Sequence, residues 1–441
     1  MKFPISIIFL FCCLAARAGL TFEGINATVI EITPDANTGL EAIYVLESTE
    51  DVTATYTSST ENIEWSKFSS QGGGYAHPIP FTVDGNRSSI TLNAGDMGYI
   101  VNDNGRQHCF WVVDYLQHEM FLESISPDLE ESDCAMTMLK INGTASRIQY
   151  YTATGVPREL SREIELKYNS LEWDEEANNY SQIPVTTTYN SFNSNVTAVA
   201  PLCDTDFEMI GDRFLKEWGR ELSCVSPTYK TISVDAHTQA TQSSRENDNE
   251  IKDSDSGLGG SAPADITFTA ITSDGAAFTE WQMSKDPDFE IIDLRFNEEN
   301  LNYTFREQGT IYVRFVAAND NGSCDWTSET YEISIGESRL ECPNAFSPGA
   351  SVGVNDEWKV SYKSLTSFEC HIFNRWGNLM FSTSDPAVGW DGKYKGKLVP
   401  AGVYFYVIKA KGADGKSYNR SGDINIINYN KSSVNQIIPE E

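Results

Sequence analysis

The chain reads as an all-β protein of tandem immunoglobulin-like β-sandwiches with a further β-sandwich at its C-terminal end. Two observations predict this. Short runs rich in Val, Ile, Thr, Tyr and Phe recur about every ten residues, separated by Gly, Asn, Asp and Ser, which is the rhythm of strands and tight turns. Across 441 residues, 40% are hydrophobic and 12% aromatic, enough to supply a core to several domains.

The N-terminal segment, residues 1–18, has the order of a secretory signal peptide: Lys2, an apolar run from Ile5 to Leu14, then Ala16-Arg17-Ala18. Cleavage is expected after Ala18. Cys13 follows Cys12 where a lipobox needs a small residue, so lipid anchoring is not the primary expectation. After residue 18, no apolar run approaches the roughly 20 residues of a membrane-spanning helix.

Residues 19–122 form the first expected sandwich. Strands are read near 27–32, 42–46, 53–56, 63–68, 89–92, 98–101 and 109–115, an immunoglobulin-like count, with Trp65 and Trp111 as core aromatics. Residues 123–235 form a second, with strands near 134–141, 147–151 and 159–168 and Gly143 as a turn. Phe214, Leu215, Trp218 and Leu222 share one helical face, which predicts a short helix near 211–222. Residues 236–263 read as an acidic linker, because 243–263 is highly charged and almost devoid of large apolar side chains. A third sandwich, 264–336, is built on strands near 278–283, 291–296, 303–305, 309–316 and 331–335. Its Trp281, the run Gly309 to Arg314 and Asn319 resemble the polycystic-kidney-disease type of immunoglobulin-like domain.

The last unit, 337–428, also reads as a compact antiparallel sandwich. Strands 368–373 and 379–381 flank Asn374-Arg375-Trp376-Gly377-Asn378, where Gly377 supplies a positive φ cheaply, so a hairpin is expected. Residues 403–408 are apolar on both faces and predict an inner strand; Asp414-Gly415 then turns the chain into a last strand. A tail, 429–441, follows.

Four motifs stand in order here: 343–348, with Asn344, Phe346 and Pro348; 372–377, with Asn374, Arg375, Trp376 and Gly377; 389–392, with Trp390, Asp391 and Gly392; and 400–406, with Gly402 and Tyr404; Asn355 and Asp356 stand after the first. Together they resemble the gliding-motility-associated C-terminal domain, the type B sorting module of type IX secretion cargo. The resemblance implies export through the periplasm, recognition by the type IX machinery, and display on or release from the outer surface. It also implies that the 374–377 hairpin, the 390–392 turn and the strand from Gly402 belong to the folded signal.

Charge separates this module from what precedes it. From Glu337 onward there are 12 Lys+Arg against 11 Asp+Glu, a net of +1; the preceding residues hold 20 against 52, a net of −32. So acidic a surface argues against nucleic acid and suits colloidal solubility outside the cell.

Seven cysteines follow the signal segment. They form no zinc pattern, and stapling disulfides are expected, with Cys109 to Cys134, Cys203 to Cys224 and Cys342 to Cys370 as candidate pairs. The odd count leaves one thiol over. No metal site is expected: Leu122 stands where a zinc-protease helix would place its second histidine after His118-Glu119, which is read as an exposed pair. Asp253 to Gly257 starts like a calcium loop, but Ala264 stands at its twelfth position. The loop 349–353 likewise lacks carboxylates. No nucleophile elbow or phosphate loop is present, so neither catalysis nor a cofactor is expected.

The sequence therefore predicts a secreted or surface-displayed structural or adhesive protein, with an extracellular protein or glycan as possible ligand. A carbohydrate-binding protein using Trp173, Tyr180 and Tyr189 as a stacking platform is the alternative, and a surface hydrolase with paired carboxylates in a cleft is the third reading.

Overall fold

The computed structural model describes residues 19–24, 29–58, 60–252, 257–349, 353 and 355–427. The expected signal peptide, the tail from 429 and the calcium-like Asp253 to Ser256 lie outside the described residues. The chain is almost entirely strand, and it divides into two compact units: residues 1–172 with 181–231, and residues 173–180 with 232–441.

In the first unit, two sheets make the N-terminal sandwich. One has four strands, ordered Leu20–Glu23, Thr53–Thr57, Arg87–Thr91 and Thr82–Asp84. The other has six, ordered Val29–Ile32, Ala42–Leu46, Arg106–Asp114, Met97–Asp103, Ile63–Phe68 and His77–Pro78. Ala42–Leu46 runs parallel to the central Arg106–Asp114, with Phe110 opposite Ala42.

Side chains alternate across Arg106–Asp114, so the six-stranded sheet has two covered faces. Phe110 and Val112 join Trp65, Tyr44 and Tyr56 in the core between the two sheets. Cys109, Trp111 and Val113 face the other way, into a second core that continues through Ile125, Leu139, Tyr168, Phe207 and Phe214. The segments expected as two separate sandwiches thus share one continuous core. Periodicity along one strand shows that both faces are apolar but not what covers them.

The second sandwich pairs a three-stranded sheet (Phe121–Asp128, Met136–Thr144, Asn195–Val199) with a four-stranded one (Asn179–Tyr189, Ile164–Asp174, Glu208–Ile210, Ser223–Val225). Gly143, expected as a turn, lies inside Met136–Thr144, opposite Leu122 next to a bulge. A Cβ there would meet the Phe121 carbonyl oxygen at 2.5 Å, so glycine serves close backbone approach instead. The helix forms as Arg213–Glu217, shorter than expected; Phe214 and Leu215 are buried and Asp212 caps it by accepting from the Leu215 N–H at 3.1 Å.

In the second unit, a three-stranded sheet (Ala236–Gln242, Ala264–Thr272, Asn300–Phe305) packs on a larger one centred on Gly309–Ala318 and Phe278–Ser284, with Trp281 fully buried between them. Residues 236–242, expected within a linker, are a strand paired along its whole length with 266–272.

The expected linker departs from its reading again at 245–251. Asn249 donates through Nδ2 to the carbonyls of Val360 and Pro386 at 2.7 and 2.8 Å. The Ile251 N–H donates to the Tyr362 carbonyl at 2.8 Å, and the Tyr362 N–H to the Asn249 carbonyl at 3.1 Å. This strap lies alongside Ser361–Lys363, which on its other edge pairs with Arg339–Glu341. Low apolar content did not preclude order, because the strap is held by hydrogen bonds of its backbone and of Asn side chains.

The terminal module has a five-stranded sheet, ordered Ala345–Phe346, Ser417–Ile426, Gly402–Gly412, Leu365–Phe373 and Leu379–Thr383. Gly402–Gly412 is inner within that sheet, as expected, yet only Tyr404, Ile408, Ala410 and Gly412 are buried; Val403, Phe405 and Val407 are about half exposed. Apolar side chains on both faces fixed the position in the ladder, but not a cover for both faces.

Candidate sorting-signal surface

The terminal module is built round three rings. Phe346 and Trp390 lie 5.6 Å apart, and Trp390 meets Tyr404 edge-on at 5.1 Å. All three are buried in a core with Trp358, Ile372 and Ile424. Trp390 and Trp358 exchange backbone hydrogen bonds of 2.8 and 3.0 Å, and the Trp390 indole N–H donates to the Lys393 carbonyl at 3.0 Å. Asp391 accepts from the Lys393 N–H at 3.0 Å and pairs with its ammonium at 2.8 Å. Gly392 has φ +72°, and a Cβ on it would meet Pro348 at 3.0 Å. The Trp-Asp-Gly turn is therefore an internal clamp: it closes on Phe346 and Pro348 and presents no aromatic outward.

Asn344 and Asn355 act through backbone. The Asn344 carbonyl accepts from the Asn425 N–H at 2.9 Å; Asn355, at φ 54°, accepts from the Ser347 N–H at 2.9 Å. Asp356 accepts from the N–H groups of Gly349 and Gly353, at 2.9 and 2.6 Å, so its carboxylate ties the ends of the 349–353 loop.

The hairpin tip is the outward feature. Asn374 Oδ1 accepts from the N–H of Trp376 at 3.1 Å and of Asn378 at 2.9 Å, while Gly377 takes φ +82°. That turn holds Trp376 in solvent, 70% exposed, with the Arg375 guanidinium over its ring at 4.2 Å. Beside it runs a groove of about 960 Å³, lined by the tip, by residues 394 and 397–401, and by Gly402, Val403 and Tyr404. The Tyr404 hydroxyl donates to the Pro400 carbonyl at 2.9 Å and shapes the floor. Of the sequence features singled out, the 374–377 tip and the start of the 402–404 strand meet at one surface. Those at 344–348 and 390–392 build the core beneath.

The type IX secretion signal domain family (CHU_C) matches residues 340–426, a span that includes the core, the clamp and the tip. The C-terminal module is a type IX secretion signal domain. Upstream of it, the fibronectin type III domain family matches residues 126–226. The secretion signal domain implies export and a secreted or cell-surface location, and contact with the secretion machinery.

No curated protein is detectably similar to the chain. Among solved structures, the chain is similar to a tetra-tandem repeat from the extending region of a large adhesion protein: 12% identity, 87% of this chain and 98% of that one, TM-score 0.22. It is also similar to the first three fibronectin domains of chicken CNTN1: 12% identity, 69% and 98% covered, TM-score 0.26. Such scores carry no argument about function.

The candidate disulfides require correction. Cys109, Cys203, Cys224, Cys342 and Cys370 form no disulfide, whereas Cys134 and Cys324 are disulfide-bonded. None of the three expected pairs is formed, because spacing along the chain does not report the Cα separation and Cβ direction that a disulfide demands. Cys109 points from its strand into the shared core, and Cys370 points from strand Leu365–Phe373 into the core of the secretion signal domain. Burial, reinforced by the neighbouring Cys342, pushes the Cys370 thiol up to about 12.

His118 is not the exposed residue expected. Its Nδ1 meets Ser146 Oγ and its Nε2 meets Asp96 Oδ2, each at 2.8 Å, and its side chain is mostly buried. The aromatics proposed as a platform are also engaged. Trp173 stacks on His237 with ring centres 3.8 Å apart and planes 5° from parallel, Tyr180 donates to Asp235 at 3.0 Å, and Tyr189 donates to the Thr197 carbonyl at 3.0 Å. One face of Trp173 is thus covered by the chain itself.

Two features escaped sequence reading: the strap 245–251 and the groove. The strap had a faint signal in Asn247 and Asn249: the Asn247 amide donates to the Tyr362 hydroxyl and the Asn249 amide to two backbone carbonyls. The groove had none, since its walls come from two separate hairpin regions, 374–380 and 394–404, whose approach no local pattern encodes.

Proposed function

We propose that this chain is a non-enzymatic structural or adhesive protein that acts outside the cell. Its β-domains are the working part, and the secretion signal domain delivers them. The observation that carries this reading is the folded signal domain: a buried ring core and Trp-Asp-Gly clamp holding one exposed Arg375–Trp376 tip, placed after a series of β-domains. The −32 carried by residues 1–336 supports it, since a strongly charged surface keeps exported domains soluble and apart.

The adhesive role is tested by comparing cells with and without the chain. Attachment to surfaces or to neighbouring cells should fall when the chain is deleted and return when it is restored. Unchanged attachment, with the chain shown to be outside the cell, would remove the adhesive role while leaving delivery intact.

A further inference from the structure

We propose that the groove beside Trp376 is a docking site for an extended peptide segment of the export machinery in which acidic side chains alternate with apolar ones. The proposal rests on the reading that the secretion signal domain is recognised as a folded body.

Three observations point to this occupant. The first is charge. Arg375 and Lys397 line the groove, no carboxylate does, and neither cation makes an ion pair among the described residues. The neighbouring cations are accounted for: Lys393 is held by Asp391, and Lys395 lies over the Tyr394 ring at 5.2 Å. An acidic ligand would meet two unneutralised positive groups, one of them a guanidinium suited to bidentate contact with a carboxylate.

The second is exposed apolar surface in the same place. Trp376, Leu379, Tyr394 and Val403 are all substantially exposed, and tryptophan and arginine are the residues that most often carry the binding energy of an interface. A bare anion would leave these groups in water.

The third is preorganisation and size. The tip is fixed by the Asn374 side chain, so little order must be gained on binding. At about 960 Å³ the groove is at the upper end of ligand pockets and holds several residues of a peptide rather than one side chain.

The test uses the full chain and two probes: a fluorescein-labelled short peptide alternating Asp with Leu and Phe, and inorganic polyphosphate. The peptide should bind. Trp376→Ala, and the pair Arg375→Glu with Lys397→Glu, should each weaken it about tenfold or more, whereas Arg375→Lys with Lys397→Arg should retain most of it. Because these side chains are exposed, Tm should stay at the wild-type value, which separates lost binding from lost folding. Equal binding by wild type and charge-reversed variant, or polyphosphate binding as tightly as the peptide, would overturn the proposal. In cells, the charge-reversed chain should remain inside. If it reaches the exterior normally while a chain lacking 337–441 does not, the groove is wrong and the signal-domain reading stands. If the chain lacking 337–441 also reaches the exterior, that reading fails first.

Discussion

Asn249 and Val360, more than a hundred residues apart, are joined by a 2.7 Å hydrogen bond from the Asn249 amide to the Val360 carbonyl, and the same amide reaches the Pro386 carbonyl at 2.8 Å. The segment that joins strands Ala236–Gln242 and Ala264–Thr272 of the preceding β-domain is therefore part of the secretion signal domain's edge. Glu250 is nearly buried beside it, paired with Arg245 at 2.9 Å, and Asn247 donates to the Tyr362 hydroxyl at 2.9 Å.

Asn249→Ala should expose this dependence. It leaves two carbonyls without a donor, at a cost of about 1–3 kcal/mol. Hydrogen exchange at the Ile251 and Tyr362 amides should speed up while the core amides of Gly402–Gly412 stay protected. Unchanged exchange at Ile251 would mean that the strap is held by something other than Asn249.

A second prediction concerns the first unit. Arg162 and Asp212 form an ion pair in which both side chains are essentially buried; Asp212 also accepts from the Tyr115 hydroxyl at 3.0 Å, and Arg162 donates to the Ser146 carbonyl at 2.7 Å. The pair ties the N-terminal sandwich to the second one at their shared core. Arg162→Ala strands the Asp212 carboxylate and should destabilise the first unit by about 3–5 kcal/mol in denaturant titration. A loss below 1 kcal/mol, the range of an exposed pair, would contradict the buried network.

Acid should weaken the secretion signal domain through Asp414. Burial opposes its charge, but hydrogen bonds from the Ser338 hydroxyl and from Lys416 outweigh that and hold its carboxyl well below the usual range. A carboxylate with a depressed folded pKa stabilises above its unfolded value of about 4, and that contribution fades as pH falls from there toward the folded value. The Tm of wild type should therefore drop through this acid window more steeply than that of Asp414→Asn. Parallel curves would show that another group governs the acid limb.

The cysteines give a chemical prediction. A thiol raised to about 12, as Cys370 is, holds almost no thiolate at pH 8. Maleimide should leave Cys370 unmodified in the folded chain and label it after denaturation, read by peptide mass spectrometry. Native-state labelling at the rate of an open thiol would contradict its burial.

The sequence made much of this legible, for identifiable reasons. Turns that need a special backbone announce themselves: Asn374 to Asn378 and Asp414-Gly415 both form the hairpins expected, with Gly377 and Gly415 at positive φ. Strand periodicity located most ladders, and Trp65 and Trp111 are core residues as read. What failed depends on partners distant in sequence. The two faces of Arg106–Asp114 looked alike, but only the fold puts one against Trp65 and the other against Phe207. The strap looked like a linker because hydrogen bonding to an edge strand leaves no hydrophobic pattern. Half of the signal's features proved to be core, since Trp390 is fully buried whereas Trp376 is exposed, a difference that neither residue's neighbours encode.

Protease shaving of intact cells, followed by mass spectrometry of the released peptides, tests the central claim most directly. For the full chain, peptides from both compact units should be released. For a chain lacking only residues 337–441, no peptide should be released although the protein is present in whole-cell extracts. Equal release of peptides from residues 19–336 in both strains would contradict delivery by the secretion signal domain.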